Sequence, residues 1–365
     1  MKLDGADREF IVVKPSGVAP TSGYPVVFMF HGTSGNGEKF YNISGWKEKG
    51  EAEKFFTVFP SSLEYCVLNE LGNPNLTTKW NCGDLVVNAC PNVPQDLKDD
   101  VKFVRKMVDT IKVAFTVNPK KIFASGFSNG SVFANKLANE ASDIFSAFGC
   151  AAGPLFAQDS NKPLQPSRIW NTVGTLDDRF TALIGTTALP FGGDSILPYM
   201  KALNDKVLAC QGMSDVYTKN YTALTNTFIY NTPKSGNPPN TVLFSLFKDL
   251  THEYANGVNY PLKYADLFWA FFNPGSTSNS DLATKPPLEV GLFPNPAAET
   301  IQFDPTKLAN YEEYLFYVVN SVGQRLQTLP PTSTWIKKSE LGSGLFYLVA
   351  VGKQGSFAQK FIFLK

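Results

Sequence analysis

The sequence predicts an α/β chain, a mostly parallel sheet with helices on both faces, followed by a small all-β sandwich. Three observations carry that expectation. Over roughly the first 270 residues, short apolar runs alternate with helical patterns, as in strand–helix–strand units that build parallel sheets. A polar stretch rich in turn formers, 273–280, then interrupts the pattern. Beyond it, short strands follow at close spacing with turn residues between them.

The elements follow in order. Residues 10–13 (Phe-Ile-Val-Val) open the chain with a strand-like run. Residues 26–30 are a buried-strand run that stops at His31-Gly32, and 55–59 are another, stopped by Pro60. In 96–115 the apolar Val101, Val104, Met107, Val108 and Ile111 recur at helical spacing. Residues 121–124 read as a strand, and a helix is expected from Ser128 onward. Residues 145–150, 169–173 and 241–247 are further strands, and 260–272 an aromatic-rich helix. The motif-poor stretch 154–241 is expected to hold a lid or substrate wall, with 183–199 its most apolar loop. The linker is placed at 274–287, which leaves 1–273 as a first domain and 288–365 as a second. In the second, 288–292, 300–303, 314–319, 346–351 and 361–364 read as the strands of the sandwich.

Composition removes whole classes of function. Of 365 residues, 33 are basic and 32 acidic, so the excess of Lys and Arg that a nucleic-acid partner demands is absent. Hydrophobic residues make up 43% and charged residues 18%, which builds folded cores. No run of eighteen apolar residues exists, so no membrane span is expected. There are two histidines, His31 and His252, too few for a multi-histidine zinc site. Five cysteines include no C-x-x-C pair. Neither a metal nor an organic cofactor is implied. Cys82 and Cys90 flank a short loop and are the expected disulfide; Cys150 ends an apolar strand and reads as a buried free thiol. No histidine motif accompanies any cysteine, so a thiol nucleophile is not expected. No signal peptide is visible, so an exported protein would have had it removed.

One constellation carries chemistry. Gly126-Phe127-Ser128-Asn129-Gly130 is a G-x-S-x-G pentapeptide between a predicted strand and a predicted helix. A sharp strand-to-helix turn exposes a serine oxygen, and small residues let the turn close. A chance Gly-Ser turn would lack that flanking pattern. Ser128 is therefore the candidate nucleophile. His252, in a loop after the strand 241–247, is the one histidine that follows it and is the candidate base. An orienting carboxylate is expected between them. Asp177, just past the strand 169–173, is preferred; Asp178 competes, and Asp205 and Asp215 are weaker because no strand precedes them. Oxyanion donors are expected from the main-chain N–H groups of Asn129 and of Thr33, in the strand-end loop His31-Gly32-Thr33-Ser34-Gly35. His31 is then a structural loop residue. Trp80 and Tyr254 lie in loops beside these segments and are candidates to line the cleft, with ordinary packing the competing reading.

From about Gly5 to Phe272 the chain resembles the poly(3-hydroxybutyrate) depolymerase and feruloyl esterase group of α/β-hydrolases. The resemblance rests on Asp4-Gly5 with Arg8-Glu9-Phe10, on 26–35, on Ile43-Ser44-Gly45-Trp46 and on Trp80-Asn81. It continues through Asp99-Asp100-Val101, the run 121–130, Ala151-Ala152-Gly153 and Gly174-Thr175-Leu176-Asp177, and ends at His252. It implies an α/β-hydrolase fold with Ser128 as nucleophile, Asp177 as acid and His252 as base. Two departures lie beside the cleft. Asp178-Arg179-Phe180 stands where the group often has Pro-Val, and Glu253-Tyr254 where it often has Trp-Pro. They bear on substrate choice.

The C-terminal part resembles the sorting domain of type IX secretion found in Bacteroidetes. The matching residues are Phe293-Pro294-Asn295-Pro296, Asn320-Ser321-Val322-Gly323-Gln324, 341–347 and the terminal 360–365. That implies export, engagement of the type IX machinery and either release or attachment at the cell surface. A carbohydrate-binding sandwich is the competing reading, disfavoured because the aromatic residues read as buried strand positions.

The expected activity is a secreted serine carboxylic ester hydrolase that works through an acyl-enzyme. Candidate substrates are feruloylated or acetylated plant polysaccharides, polyhydroxyalkanoates, and aromatic polyesters such as poly(ethylene terephthalate). The rivals are a non-catalytic surface-binding protein on the same scaffold and a peptidase.

Overall fold

The computed structural model describes residues 1–69, 71–274, 290–307, 310–320, 325–352 and 355–364. The chain divides into two compact units: Met1–Asn256 with Leu262–Asn279, and Gly257–Pro261 with Ser280–Lys365.

The first unit opens with a short hairpin, β1 (Lys2–Leu3) and β2 (Ala6–Asp7), then β3 (Phe10–Val13) and β4 (Tyr24–Phe30). Helices α1 (Gly37–Ile43) and α2 (Trp46–Glu53) lead to β5 (Phe56–Pro60). A hairpin of β6 (Glu64–Leu68) and β7 (Pro74–Thr78) precedes α3 (Gly83–Asn88) and α4 (Asp100–Ala114). Then come β8 (Val117–Phe127), α5 (Asn129–Glu140), β9 (Ala147–Ala151), β10 (Arg168–Gly174), α6 (Asp178–Ile184) and α7 (Leu197–Cys210). The hairpin β11 (Thr218–Tyr221) and β12 (Thr225–Tyr230), strand β13 (Val242–Phe247) and α8 (Tyr264–Phe272) complete the unit.

Nine strands form one sheet in the order β11-β12-β13-β10-β9-β8-β4-β5-β3. The six from β13 to β5 run parallel, and antiparallel strands close both edges. This is the α/β-hydrolase fold that the sequence predicts. Its parallel strands are buried on both faces, so their sequences are nearly continuous apolar runs: all five residues of β5 and of β9 are buried. Helix α4 shows the complementary pattern. Asp99 caps it, accepting from the Lys102 N–H, and Val101, Phe103, Val104, Met107, Val108 and Ile111 form its buried stripe.

The stretch 154–241, expected to hold a lid or substrate wall, is largely built into the fold. It supplies β10, α6, α7 and the edge hairpin, and within 183–199 Leu189 and Ile196 are buried in the main core. The aromatic helix starts at Tyr264 rather than at 260. Beneath the N-terminal half, Arg8 and Asp100 form a buried ion pair, Arg8 lies over the Phe103 ring, and Asp100 also accepts from the Asn81 N–H.

Among its described residues, the second unit is all-β apart from short helical turns. A four-stranded antiparallel sheet, β16 (Arg325–Leu329), β15 (Leu315–Asn320), β18 (Gly344–Gly352) and β19 (Gly355–Phe363), faces the pair β14 (Thr300–Gln302) and β17 (Trp335–Lys337) across one core. Ile301 and Ile336 come from the pair; Phe316, Val318, Leu348 and Phe361 come from the larger sheet. Residues 290–292 form no strand, although Val290 and Leu292 are buried in that core. The expected linker 274–287 lies outside the described residues except at Pro274, as do 288–289, Ser321 to Gln324 and Lys365.

The disulfide is a correction. Cys90 bonds Cys66, not Cys82. Strand β6 carries Cys66 beside the end of α3, where the Cys90 N–H donates to the Cys66 carbonyl and Val67 bridges Ala89. Cys82 instead begins α3 with its sulfur turned into the core, 3.4 Å from the Trp80 carbonyl. Cys82, Cys150 and Cys210 are free thiols. Alkylation of the denatured, unreduced protein should therefore label Cys82, Cys150 and Cys210. Peptide mapping should join Cys66 to Cys90; a Cys82–Cys90 peptide would contradict the structure. Removing the bridge, which spans 24 residues, should lower unfolding stability by about 3 kcal/mol in urea titrations.

Candidate active site

Strand β8 and helix α5 meet at Ser128, which sits at φ 52° and ψ −121°. A non-glycine residue at positive φ is strained, and here the surroundings hold it. The Ser128 N–H donates to the Ala151 carbonyl on β9, and its own carbonyl accepts from Ser131 and Val132 in α5. The flanking glycines are required by contact. A Cβ on Gly126 would lie 2.0 Å from the Gly130 carbonyl oxygen, and one on Gly130 would lie 2.2 Å from that of Phe30.

His252 follows β13 in a loop and Asp177 follows β10. The two loops are stitched together: the Leu176 N–H donates to the Leu250 carbonyl, Thr175 to Phe247, and Asp249 to the Thr175 hydroxyl. His252 Nε2 lies 2.9 Å from Ser128 Oγ. His252 Nδ1 lies 3.0 and 2.9 Å from the two oxygens of Asp177. A carboxylate against Nδ1 places the ring proton there, which leaves the Nε2 lone pair facing the serine hydroxyl. Asp177 is fully buried and is held by the Arg179 N–H as the cap of α6. Asp178 points outward beside Arg179. Asp205 pairs with Lys201 on α7, and Asp215 is exposed. The structure thus brings Ser128, His252 and Asp177 into one hydrogen-bonded line. The exposed Asp178 carboxylate lies within 4.8 Å of Asp177 and His252 but is not hydrogen-bonded to the ring, and Asp205 and Asp215 stand apart from the cluster.

Thr33 is exposed in the loop after β4, and Asn129 is the first residue of α5. No acceptor is bonded to either main-chain N–H among the described residues. The Asn129 side chain is buried and fully engaged. Its oxygen accepts from the Trp80 N–H at 2.7 Å, and its nitrogen donates to Asp84 at 2.9 Å and to the Cys82 sulfur at 3.3 Å. Lys79 neutralises Asp84 from 3.1 Å. Asp84 and Lys79 were not foreseen; the loop around Cys82 stood out in the sequence, but nothing in it says which way those side chains turn.

Two expected cleft residues are core residues. Trp80 is fully buried, stacked on Phe133 with ring centres 5.0 Å apart, and its indole N–H donates to the His31 carbonyl at 2.9 Å. Tyr254 is buried among Phe40, Phe127 and Tyr264, and its hydroxyl accepts from the Trp46 indole at 2.9 Å. Large amphipathic rings go inside when their polar ends find partners there, and both do.

Residues 3–217 match the model of the Esterase family, well over half of the chain. The chain belongs to the esterase family. It is 26% identical over 175 residues to the bifunctional acetylxylan esterase/xylanase XynS20E of Neocallimastix patriciarum, a stretch of 48% of this chain and 22% of that one. It is 26% identical over 175 residues to feruloyl esterase B of Piromyces equi, covering 47% and 29%. It is 24% identical over 140 residues to poly(3-hydroxyalkanoate) depolymerase C of Paucimonas lemoignei, covering 38% and 30%. The chain thus spans under a third of the length of these relatives. Among the described residues, no helix is long and apolar enough to cross a membrane.

In this esterase-family chain His31 plays a separate part. Its ring is fully buried; Nε2 accepts from the Ser62 N–H at 3.0 Å and Nδ1 donates to the Gly32 carbonyl at 2.7 Å. Burial lowers its pKa from 6.5 to about 4, against the opposing Gly32 bond and with a smaller push from Lys39. The unfolded chain therefore binds this proton near the ordinary value and the folded chain only well below it. Between those values the unfolded state holds more protons, so stability falls as pH drops and the contribution is intact above pH 6.5. Urea unfolding should show a loss of roughly 2–3 kcal/mol from this group between pH 7 and 4.5. His31→Gln should flatten that part of the pH profile; an unchanged slope would assign it elsewhere.

Proposed function

We propose that the chain is an exported serine carboxylic ester hydrolase that acts on aryl (feruloyl), acetyl or polyester esters carried on polymers. The observation that carries this reading is the ordered line from Ser128 Oγ to His252 Nε2 at 2.9 Å and from His252 Nδ1 to Asp177 at 2.9 Å. In the proposed mechanism, Ser128 attacks the ester carbonyl as His252 takes its proton. The buried Asp177 holds the imidazole tautomer and stabilises the imidazolium. The main-chain N–H groups of Thr33 and Asn129 receive the oxyanion of the tetrahedral intermediate. His252 returns the proton to the departing alcohol. Water, deprotonated by the same imidazole, then releases the acid from the acyl-enzyme.

The substrate class draws on the names of the relatives, an acetylxylan esterase/xylanase, a feruloyl esterase and a poly(3-hydroxyalkanoate) depolymerase. A net charge of +1 suits work on neutral esters. For residues 288–365 we infer a type IX sorting role, supported by the matching residues 293–296 and 341–347. On this reading the partners are an ester substrate and that export machinery, and the enzyme is secreted or held at the cell surface.

The reading is tested by a fluorophosphonate probe and a substrate panel. The probe should label Ser128 alone. Ser128→Ala and His252→Ala should lower kcat by about 10⁴–10⁶-fold and Asp177→Asn by about 10⁴-fold, while Asp178→Asn stays within about twofold of the parent. Methyl ferulate, acetylated xylan, polyhydroxybutyrate and a polyester film, compared at equal labelled enzyme, rank the substrate classes. No acid released from any of them and no labelling of Ser128 would refute the proposal. A chain ending at Asn273 should keep the parent kcat/KM on p-nitrophenyl acetate; loss of activity would place a needed part of the enzyme beyond that point.

A further inference from the structure

We infer that Trp80 is a positioning residue of the oxyanion hole, whose two N–H groups fix the separation of the two proposed oxyanion donors. The inference rests on the esterase reading above and deepens it.

The two donors come from different parts of the chain. Thr33 lies in the loop after β4, and Asn129 begins α5. An oxyanion hole works only if both donors stay aimed at one point while charge develops there, so their spacing must be set beforehand. Nothing covalent sets it. The two segments do touch: a Cβ on Gly130 would lie 2.4 Å from the His31 carbonyl oxygen, and one on Gly32 would lie 3.2 Å from the Ser128 Cβ. The sheet pairs the strands behind them as far as Phe30 and Gly126. Past that pairing, contact limits how closely the two donor segments approach but leaves them room to separate.

Trp80 ties them from behind. Its main-chain N–H donates to the Asn129 side-chain oxygen at 2.7 Å, and its indole N–H donates to the His31 carbonyl at 2.9 Å. One residue thus bonds both walls, two positions before one donor and at the other donor's own side chain. Its ring reaches both walls too, stacked on Phe133 of α5 and edge-on to Phe30 of β4, with centre distances of 5.0 and 5.3 Å. The remaining groups around the bridge are also satisfied. Asn129 is held on its far side by Asp84, and the His31 ring is held by Ser62 and Gly32. Full burial keeps water from competing for either bond. Trp80 touches no reacting atom; it acts through the two donors.

The test uses the full chain with p-nitrophenyl acetate, with active sites counted by fluorophosphonate titration. Trp80→Phe removes the indole N–H and keeps a ring to stack on Phe133. Its kcat per labelled Ser128 should fall about five- to tenfold with KM nearly unchanged, because only transition-state stabilisation is lost. Affinity for a boronic acid, whose tetrahedral adduct on the serine oxygen fills the hole, should fall by the same factor. Asn129→Ala keeps its main-chain N–H and cuts the other bond, so it should give the same split. The double variant should lose less than the product of the two losses. A variant that melts lower yet keeps the parent kcat per labelled serine and the parent boronate affinity overturns the inference and makes Trp80 a packing residue. If Trp80→Phe does not fold, Asn129→Ala decides by the same criteria. An active parent with unaffected variants sinks this inference alone. A parent that neither labels at Ser128 nor hydrolyses any ester sinks the esterase reading, and this inference with it.

Discussion

The close passage of three backbones at Ser128 governs the site. Strand β8 must stop, reverse into α5 and leave a half-buried side chain facing His252, all within contact of the end of β4. The serine is held at positive φ at a cost of about 1–3 kcal/mol, and only its neighbours keep it there. The neighbours are central strands: β9 accepts the Ser128 N–H, and β4 presses its last carbonyls against Gly130. Because those strands sit at the middle of a nine-stranded sheet with large buried aromatics on both sides, the strain is spread over a rigid core. The His252 and Asp177 loops add a second restraint. They hydrogen-bond to each other along their main chains, so the ring and its carboxylate are placed as one unit.

What was legible in the residues follows from how local each signal is. The turn at Ser128 needs small residues at fixed offsets, so a pentapeptide announces it. The parallel strands are buried on both faces, so their apolar runs mark them without help from tertiary structure. His252 could be singled out by scarcity, since one of two histidines precedes the serine. Asp177 stands just past a strand end, which makes a carboxylate there legible in the residues, and as the cap of α6 it lies against the imidazole.

The misreadings share a different cause. Trp80, Tyr254 and Cys82 all lie in loops beside motif residues, and position along the chain cannot say which way a loop residue faces. All three turn inward because the core offers what they need: carbonyls for the Trp80 indole and the Cys82 thiol, and an indole N–H for the Tyr254 hydroxyl. Cys82 and Cys90 are near in sequence, but β6 crosses the chain back to α3 and presents Cys66 instead. Strand β11, Thr-Lys-Asn-Tyr, carries no apolar run in the sequence because an edge strand has little apolar surface to bury.

The two histidines divide the work by what their nitrogens touch. On His31 both are occupied, one accepting from Ser62 and the other donating to Gly32, so no lone pair is left to move a proton. Its neutral ring is also the one that fits. A charged imidazole would have no acceptor for a second N–H and would sit unsolvated beside Trp80, at 5.0 Å between ring centres. On His252 one nitrogen is tied to a buried carboxylate and the other faces a hydroxyl, with the ring edge partly open to solvent. The same side chain therefore serves as a strut in one place and is set up for proton transfer in the other. The difference lies in the partners: a main-chain donor at Nε2 locks the ring, and a serine hydroxyl at Nε2 is the proton source that the proposed mechanism uses.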